Sequence, residues 1–153
     1  MTQRLNLYKA APDIYKATLA LSQQVGQGID PGLKYLMELR ASQINKCAFC
    51  IDMHTKDARH HGETEERISL VAAFDEADEF FSEKERAALA FTEAVTVLTD
   101  GHVPDAVYER VAKHWTEQEI AQLIGIIAVI NTWNRFNVSA RTPGGHYKPG
   151  QYA

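Results

Sequence analysis

The sequence predicts an all-α protein, a single-domain helical bundle of about six or seven helices. Apolar residues recur at helical rather than alternating spacing from end to end. Two capping boxes, SEKE at residues 82–85 and TEQE at 116–119, each open a long helix. The longest apolar run, LIGIIAVI at 123–130, falls far short of the roughly 20 residues that span a bilayer and reads as a buried helix.

Each element has its own signal. After Pro12, the residues Ile14, Thr18, Leu21 and Val25 share one side of a first helix, which Gly26 and Gly28 end. Asp30 as N-cap and Pro31 as first helical residue open a second, whose apolar stripe is Leu33, Met37 and Ile44 with Arg40 in line. A third starts near Lys46 and ends at Gly62, and Thr64 caps a fourth with Glu65 and Glu66 in its first turn. Ser82 opens a fifth that runs to about Thr99 and stops at Asp100 and Gly101. Pro104 and Asp105 start a short sixth with Val107, Val111 and Trp115 in register. Thr116 opens the last, which reaches about Ala140 and, being apolar nearly all round in its middle, should be the central one. The tail RTPGGHYKPGQYA, residues 141–153, is too rich in Gly and Pro for a helix and should be disordered or an arm laid on a neighbour. No linker divides the chain, so residues 1–153 form one domain with its core over about 5–138.

The 153 residues are 45% hydrophobic and 24% charged, the balance of a globular protein. A formal charge of -4 without clustered Lys or Arg argues against nucleic-acid or anionic-membrane partners. Charges interrupt the N-terminal stretch as far as Lys16, so no signal peptide is expected and a cytoplasmic location is. In that setting a C-x-x-C pair reads as catalytic or metal-binding rather than as a structural disulfide.

That pair lies in SQINKCAFCIDMHTKDARHHG, residues 42–62. On a helix, Cys47, Cys50 and His54 stand at i, i+3 and i+7 and share one face. If the helix begins near Lys46, both sulfurs lie in its first turn, where unpaired N–H groups favour a thiolate. His54 is one turn from Cys50 and two from Cys47, which makes Cys50 the nucleophile and Cys47 the resolving thiol. Upstream, Tyr35, Glu38, Ser42 and Asn45 form a polar face, and a tight loop would let Glu38 hold the His54 ring in a proton-accepting state. Other readings compete with this one. Zinc could use Cys47, Cys50, His54 and His60 or His61, but one continuous helix face does not wrap a tetrahedral ion. The two cysteines could be inert core residues. Haem attachment is dismissed, because Ile51 stands where a histidine would be needed. His60 and His61 suit a helix C-terminus, and NTWNR at 131–135 reads as a helix leaving the core or as an interface, without catalysis. Its Ile-Asn step repeats the one at Ile44 and Asn45, a faint internal echo.

ELRASQINKCAFCIDMH, together with the later INTWNRF, resembles the alkylhydroperoxidase D-like group of the carboxymuconolactone decarboxylase superfamily, over about residues 5–138. The resemblance implies an all-helical fold assembling as trimers or hexamers. It further implies thiol-dependent reduction of a hydroperoxide substrate, with electrons from a dithiol reductant such as a lipoyl or thioredoxin-like protein, and no cofactor or metal. Cys50 matches the peroxide-attacking cysteine, Cys47 the resolving one and His54 the relay histidine. Tyr35 stands where the best-studied members carry a glutamate, leaving Glu38 as the nearest carboxylate, and Phe49 stands where some carry a histidine. Two other functional classes remain: a redox-sensing or scaffold oligomer, marked by stoichiometric oxidation without turnover, and a lyase that does not use the thiols, marked by activity in a double Cys→Ser variant.

Overall fold

The computed structural model describes residues 2–151. The seven expected helices are present, preceded by a one-turn helix, and no strand occurs among the described residues. In chain order they are α1 (Leu7–Ala10), α2 (Pro12–Gln24), α3 (Pro31–Ile44), α4 (Ala48–His60), α5 (Glu65–Leu70), α6 (Glu83–Thr96), α7 (Asp105–Ala112) and α8 (Glu117–Ala140), with a 3-10 segment, Val71–Glu76, after α5. Among the described residues no helix is long and apolar enough to cross a membrane.

The caps fall where the sequence puts them. Asp30 accepts from the Leu33 N–H, Thr64 from Arg67, and both capping boxes close reciprocally at Ser82/Glu85 and Thr116/Glu119. The end of α6 differs: it falls at Thr96 rather than near Thr99. The β-branched Thr96 and Val97 are poor helix propagators, and the chain leaves the helix there before reaching Asp100.

The core lies between α3, α6 and α8. Leu36, Met37, Leu89, Leu123, Ile126 and Ile127 are fully buried, and α8 packs against α2, α3, α4, α6 and α7. On α3 the buried side takes in Leu33, Leu36, Met37, Leu39, Ala41 and Ser42, while Ile44 is half-buried and Arg40 leaves the stripe to pair with Glu93 of α6 at 2.6 Å. Within α8, Gly125 provides a close approach: a Cβ there would stand 2.9 Å from Val25 Cγ1, so a glycine lets the α2–α3 turn seat on the helix.

Two expectations about apolar faces need correction. Ile14 and Leu21 of α2 are each 54% exposed, and α2 sits on α8 by its other side, through Tyr15 edge-on to Trp133 and the Trp133 indole N–H donating to Ser22 Oγ at 2.8 Å. Nor is the middle of α8 covered all round, because Ile124 and Ala128 are exposed. Periodicity identifies an apolar face but not what covers it.

Thr116→Ala removes the hydroxyl that caps the central helix, and it should lower the unfolding free energy by about 1 kcal/mol. Ile14→Ala, on an exposed face, should change monomer stability by less than about 0.5 kcal/mol. Urea unfolding of the two variants under identical conditions distinguishes them.

Candidate active site

The turn joining α3 to α4 builds the site. α3 closes with Lys46 N–H donating to the Gln43 carbonyl (3.1 Å) and Cys47 N–H to the Ser42 carbonyl (3.0 Å), the pair of bonds that ends a helix with a left-handed residue. Lys46 is that residue, at φ 54°. α4 therefore starts at Ala48, two residues later than expected, with Cys47 as its N-cap and the Cys47 sulfur accepting the Cys50 N–H at 3.4 Å. Cys47 and Cys50 form a disulfide with Cα atoms 5.3 Å apart, and they are 2% and 1% exposed.

One turn further along, His54 is buried at 5% exposure, and its Nδ1 lies 3.3 Å from Oε2 of Glu38 on α3. Neither ring nitrogen completes a well-angled hydrogen bond among the described residues. The imidazole is thus held by packing and by a close carboxylate. Tyr35 packs against the His61 ring at 4.9 Å at the edge of the site, and His60 and His61 are both exposed. Burial, then the negative charges of Asp57 and Glu38, push the Tyr35 hydroxyl above its ordinary value, which keeps it neutral. It supplies no carboxylate-like charge, and Glu38 is the acid that meets His54.

Helix α8 contributes groups that local spacing did not reveal. Asn45 Nδ2 donates to Asn131 Oδ1 (3.0 Å) and Asn134 Oδ1 (2.9 Å), Asn134 Nδ2 donates to Ser42 Oγ (3.0 Å), and Ser42 Oγ donates to the Glu38 carbonyl (2.7 Å). Asn131 Nδ2 reaches Thr96 Oγ1 on α6 at 3.1 Å, and Asn137 Nδ2 lies 3.8 Å from the Cys50 sulfur. The available signal was three asparagines at three-residue intervals, 131, 134 and 137, on the polar end of an apolar helix.

Over its described part the tail is an ordered arm, not a disordered one. It folds back along α4 of its own chain: Gly145 N–H donates to Asp52 Oδ2 (2.9 Å), Lys56 Nζ to the Tyr147 carbonyl (3.1 Å), and the buried Tyr147 hydroxyl to Asp57 (2.7 Å). Gly144 passes so close that a Cβ would lie 3.2 Å from the Ala48 carbonyl oxygen. Residues 152 and 153 lie outside the described residues. Among the described residues no three His, Cys, Asp or Glu side chains converge as a metal ligand set.

An all-helical chain with a vicinal cysteine pair at a helix start, backed by a buried histidine and a carboxylate, defines a class of helical dithiol proteins. The comparisons name the family. A carboxymuconolactone decarboxylase family profile matches residues 12–94, and the chain belongs to that family. It is 42% identical over 140 residues to the uncharacterized protein YdfG of Bacillus subtilis (strain 168), covering 91% of this chain and 95% of that one. Among solved structures it is similar to a protein of unknown function from Agrobacterium tumefaciens, proposed to be the antioxidant defence protein AhpD (TM-score 0.89, 38% identity, 95% of this chain and 100% of that one). It shares its fold with the debrominase Bmp8 (TM-score 0.79, 23% identity, 90% of this chain and 74% of that one).

Two changes should release the tail. Tyr147→Phe removes the hydroxyl that bonds Asp57, and limited proteolysis within residues 141–151 should accelerate without loss of helical circular dichroism. Burial works against ionised Asp52, but the hydrogen bonds from Lys56 and Gly145 and the charges of Lys56 and His146 hold its carboxyl below the ordinary value. Tail attachment through Asp52 should therefore be complete above about pH 4 and lost as the pH falls further, read as the exchange rate of the Gly145 amide.

Proposed function

We propose that this protein is a thiol-dependent peroxidase, a reading carried by one observation: the Cys47–Cys50 pair sits at the start of α4 with the buried His54–Glu38 pair one turn away. In the reduced protein Cys50 gives its proton to His54, and its thiolate attacks the outer peroxide oxygen. The O–O bond breaks, Cys50 becomes a sulfenic acid, and the departing alkoxide takes the proton from His54 and leaves as the alcohol. Cys47 then displaces water from the sulfenic sulfur to form the disulfide. A dithiol carrier reduces it by exchange, leaving with its own disulfide and returning both cysteines to thiols. Glu38 orients His54 and balances the imidazolium charge, acting one turn along from Tyr35.

The neighbouring groups support this assignment. At the first turn of α4, unpaired backbone N–H groups favour a thiolate. A compartment that keeps dithiols reduced, the cytoplasm, suits the cycle. The exposed apolar side chains Tyr8, Ile14, Leu21 and Ile124 fit burial against further copies of this chain, as a trimer or hexamer.

Purified protein with a dithiol reductant should consume alkyl hydroperoxide or hydrogen peroxide continuously. Cys50→Ser should abolish turnover, Cys47→Ser should stop after one equivalent with a trappable sulfenic acid at Cys50, and His54→Ala should lower kcat/KM by about a hundred- to ten-thousandfold. Full turnover in Cys50→Ser, or thiols left intact by peroxide, would reject the mechanism.

A further inference from the structure

Asn137 occupies the last turn of α8, and its side-chain nitrogen makes two contacts: it donates to the Trp133 carbonyl at 2.9 Å and lies 3.8 Å from the Cys50 sulfur. The first contact fixes the second. Only the nitrogen end of an amide can donate to a carbonyl, so the group facing the sulfur is an N–H and not the amide oxygen. The residue is also anchored by its main chain, because the Thr142 N–H closes α8 on the Asn137 carbonyl at 3.0 Å. The amide N–H therefore points at the sulfur from a fixed position on a rigid helix.

We propose that Asn137 is a catalytic residue, donating a hydrogen bond to the Cys50 thiolate of the reduced protein and keeping that sulfur ionised and aimed; this rests on the reading of Cys50 as the attacking thiol. A thiol sulfur accepts weakly, whereas a thiolate accepts with the added strength of a charge-assisted bond, so one donor stabilises the two states unequally. The titratable groups on the surrounding elements include Cys47 at the N-cap of α4, Asp52, His54, Lys56 and Asp57 on α4, Lys46 in the turn before it, Tyr35, Glu38 and Arg40 on α3, and Arg135 and Arg141 on and just after α8. None of them is altered by a change at position 137, so a difference between variant and parent isolates the amide.

Cys47→Ser protein retains one cysteine, and the ultraviolet absorbance of its thiolate followed against pH gives the midpoint for Cys50 directly. In that background Asn137→Ala should raise the midpoint by about one pH unit, leaving about tenfold less thiolate at pH values below it. Asn137→Leu has nearly the same shape and removes the donor without adding a charge, so it should raise the midpoint by a similar amount. In protein with both cysteines, the peroxide-dependent rate of Asn137→Ala should fall at neutral pH and rejoin the parent in alkali. Superimposable titrations for both variants would overturn the proposal, and Asn137→Leu alone decides it should the alanine variant fail to fold. The titration needs no peroxide: a raised midpoint in a protein without turnover would reject the peroxidase reading and retain this one, and turnover with unmoved midpoints would do the reverse.

Discussion

The site depends on the turn between α3 and α4. Cys47 closes one helix with its N–H, on the Ser42 carbonyl, and caps the next with its sulfur, so only Asn45, Lys46 and Cys47 separate the two helices. Two helices reversed this tightly must lie side by side, and residues at comparable distances from the turn are brought opposite one another. That is how Glu38 on α3 meets His54 on α4. The turn requires Lys46 in the left-handed region, which costs a residue with a Cβ about 1 kcal/mol or more. Such a conformation persists where the surroundings over-determine it. Here the bonds that close α3, the cap of α4 and the contacts of Asn45 do so.

The asparagines of α8 are the second part of that framework. Asn131 and Asn134 hold Asn45 between them, Asn134 reaches Ser42, and Asn131 also ties α6 through Thr96. A buried polar network whose members find partners fixes helix register more sharply than apolar packing, because sliding by a turn would leave several groups unpaired in a low dielectric. The repeated Ile-Asn step has its physical meaning here. Asn45 and Asn131, at corresponding places in the two segments, bond directly to one another.

Much of this was legible in the sequence because it is local. Capping boxes, N-cap hydroxyls and glycine stops report chemistry within four residues, and they placed the helices closely. The face shared by Cys47, Cys50 and His54 was legible for the same reason, since helical periodicity alone brings those positions together. Glu38 needed one further condition, a tight turn, and the turn exists. Asn137 was not legible, because its partner lies 87 positions away and only the packing of α8 on α4 joins them. The tail escaped for a related reason: glycine and proline excluded a helix for residues 141–153, but attachment to Asp52, Lys56 and Asp57 is tertiary. Ile14 and Leu21 are the converse case. Their periodicity is real, and it describes a face that this single chain leaves exposed.

The groups at the Cys50 sulfur suit a particular balance. Among the described residues no guanidinium or ammonium hydrogen-bonds to it; an amide donor does, at the start of a helix and with a histidine one turn away. A full positive charge at contact would ionise the thiol more completely, but intrinsic nucleophilicity falls as a thiol becomes more acidic, and the best attacking thiol ionises near the ambient pH. Dipoles shift the equilibrium by less than ions do. In the proposed cycle the same restraint would help the return half, since a thiolate stabilised too strongly would make the disulfide a strong oxidant and the reduced state a poor attacker. In the proposed cycle, neutral donors on rigid helices, with the Glu38 carboxyl group placed at the imidazole, would let one sulfur both ionise and react.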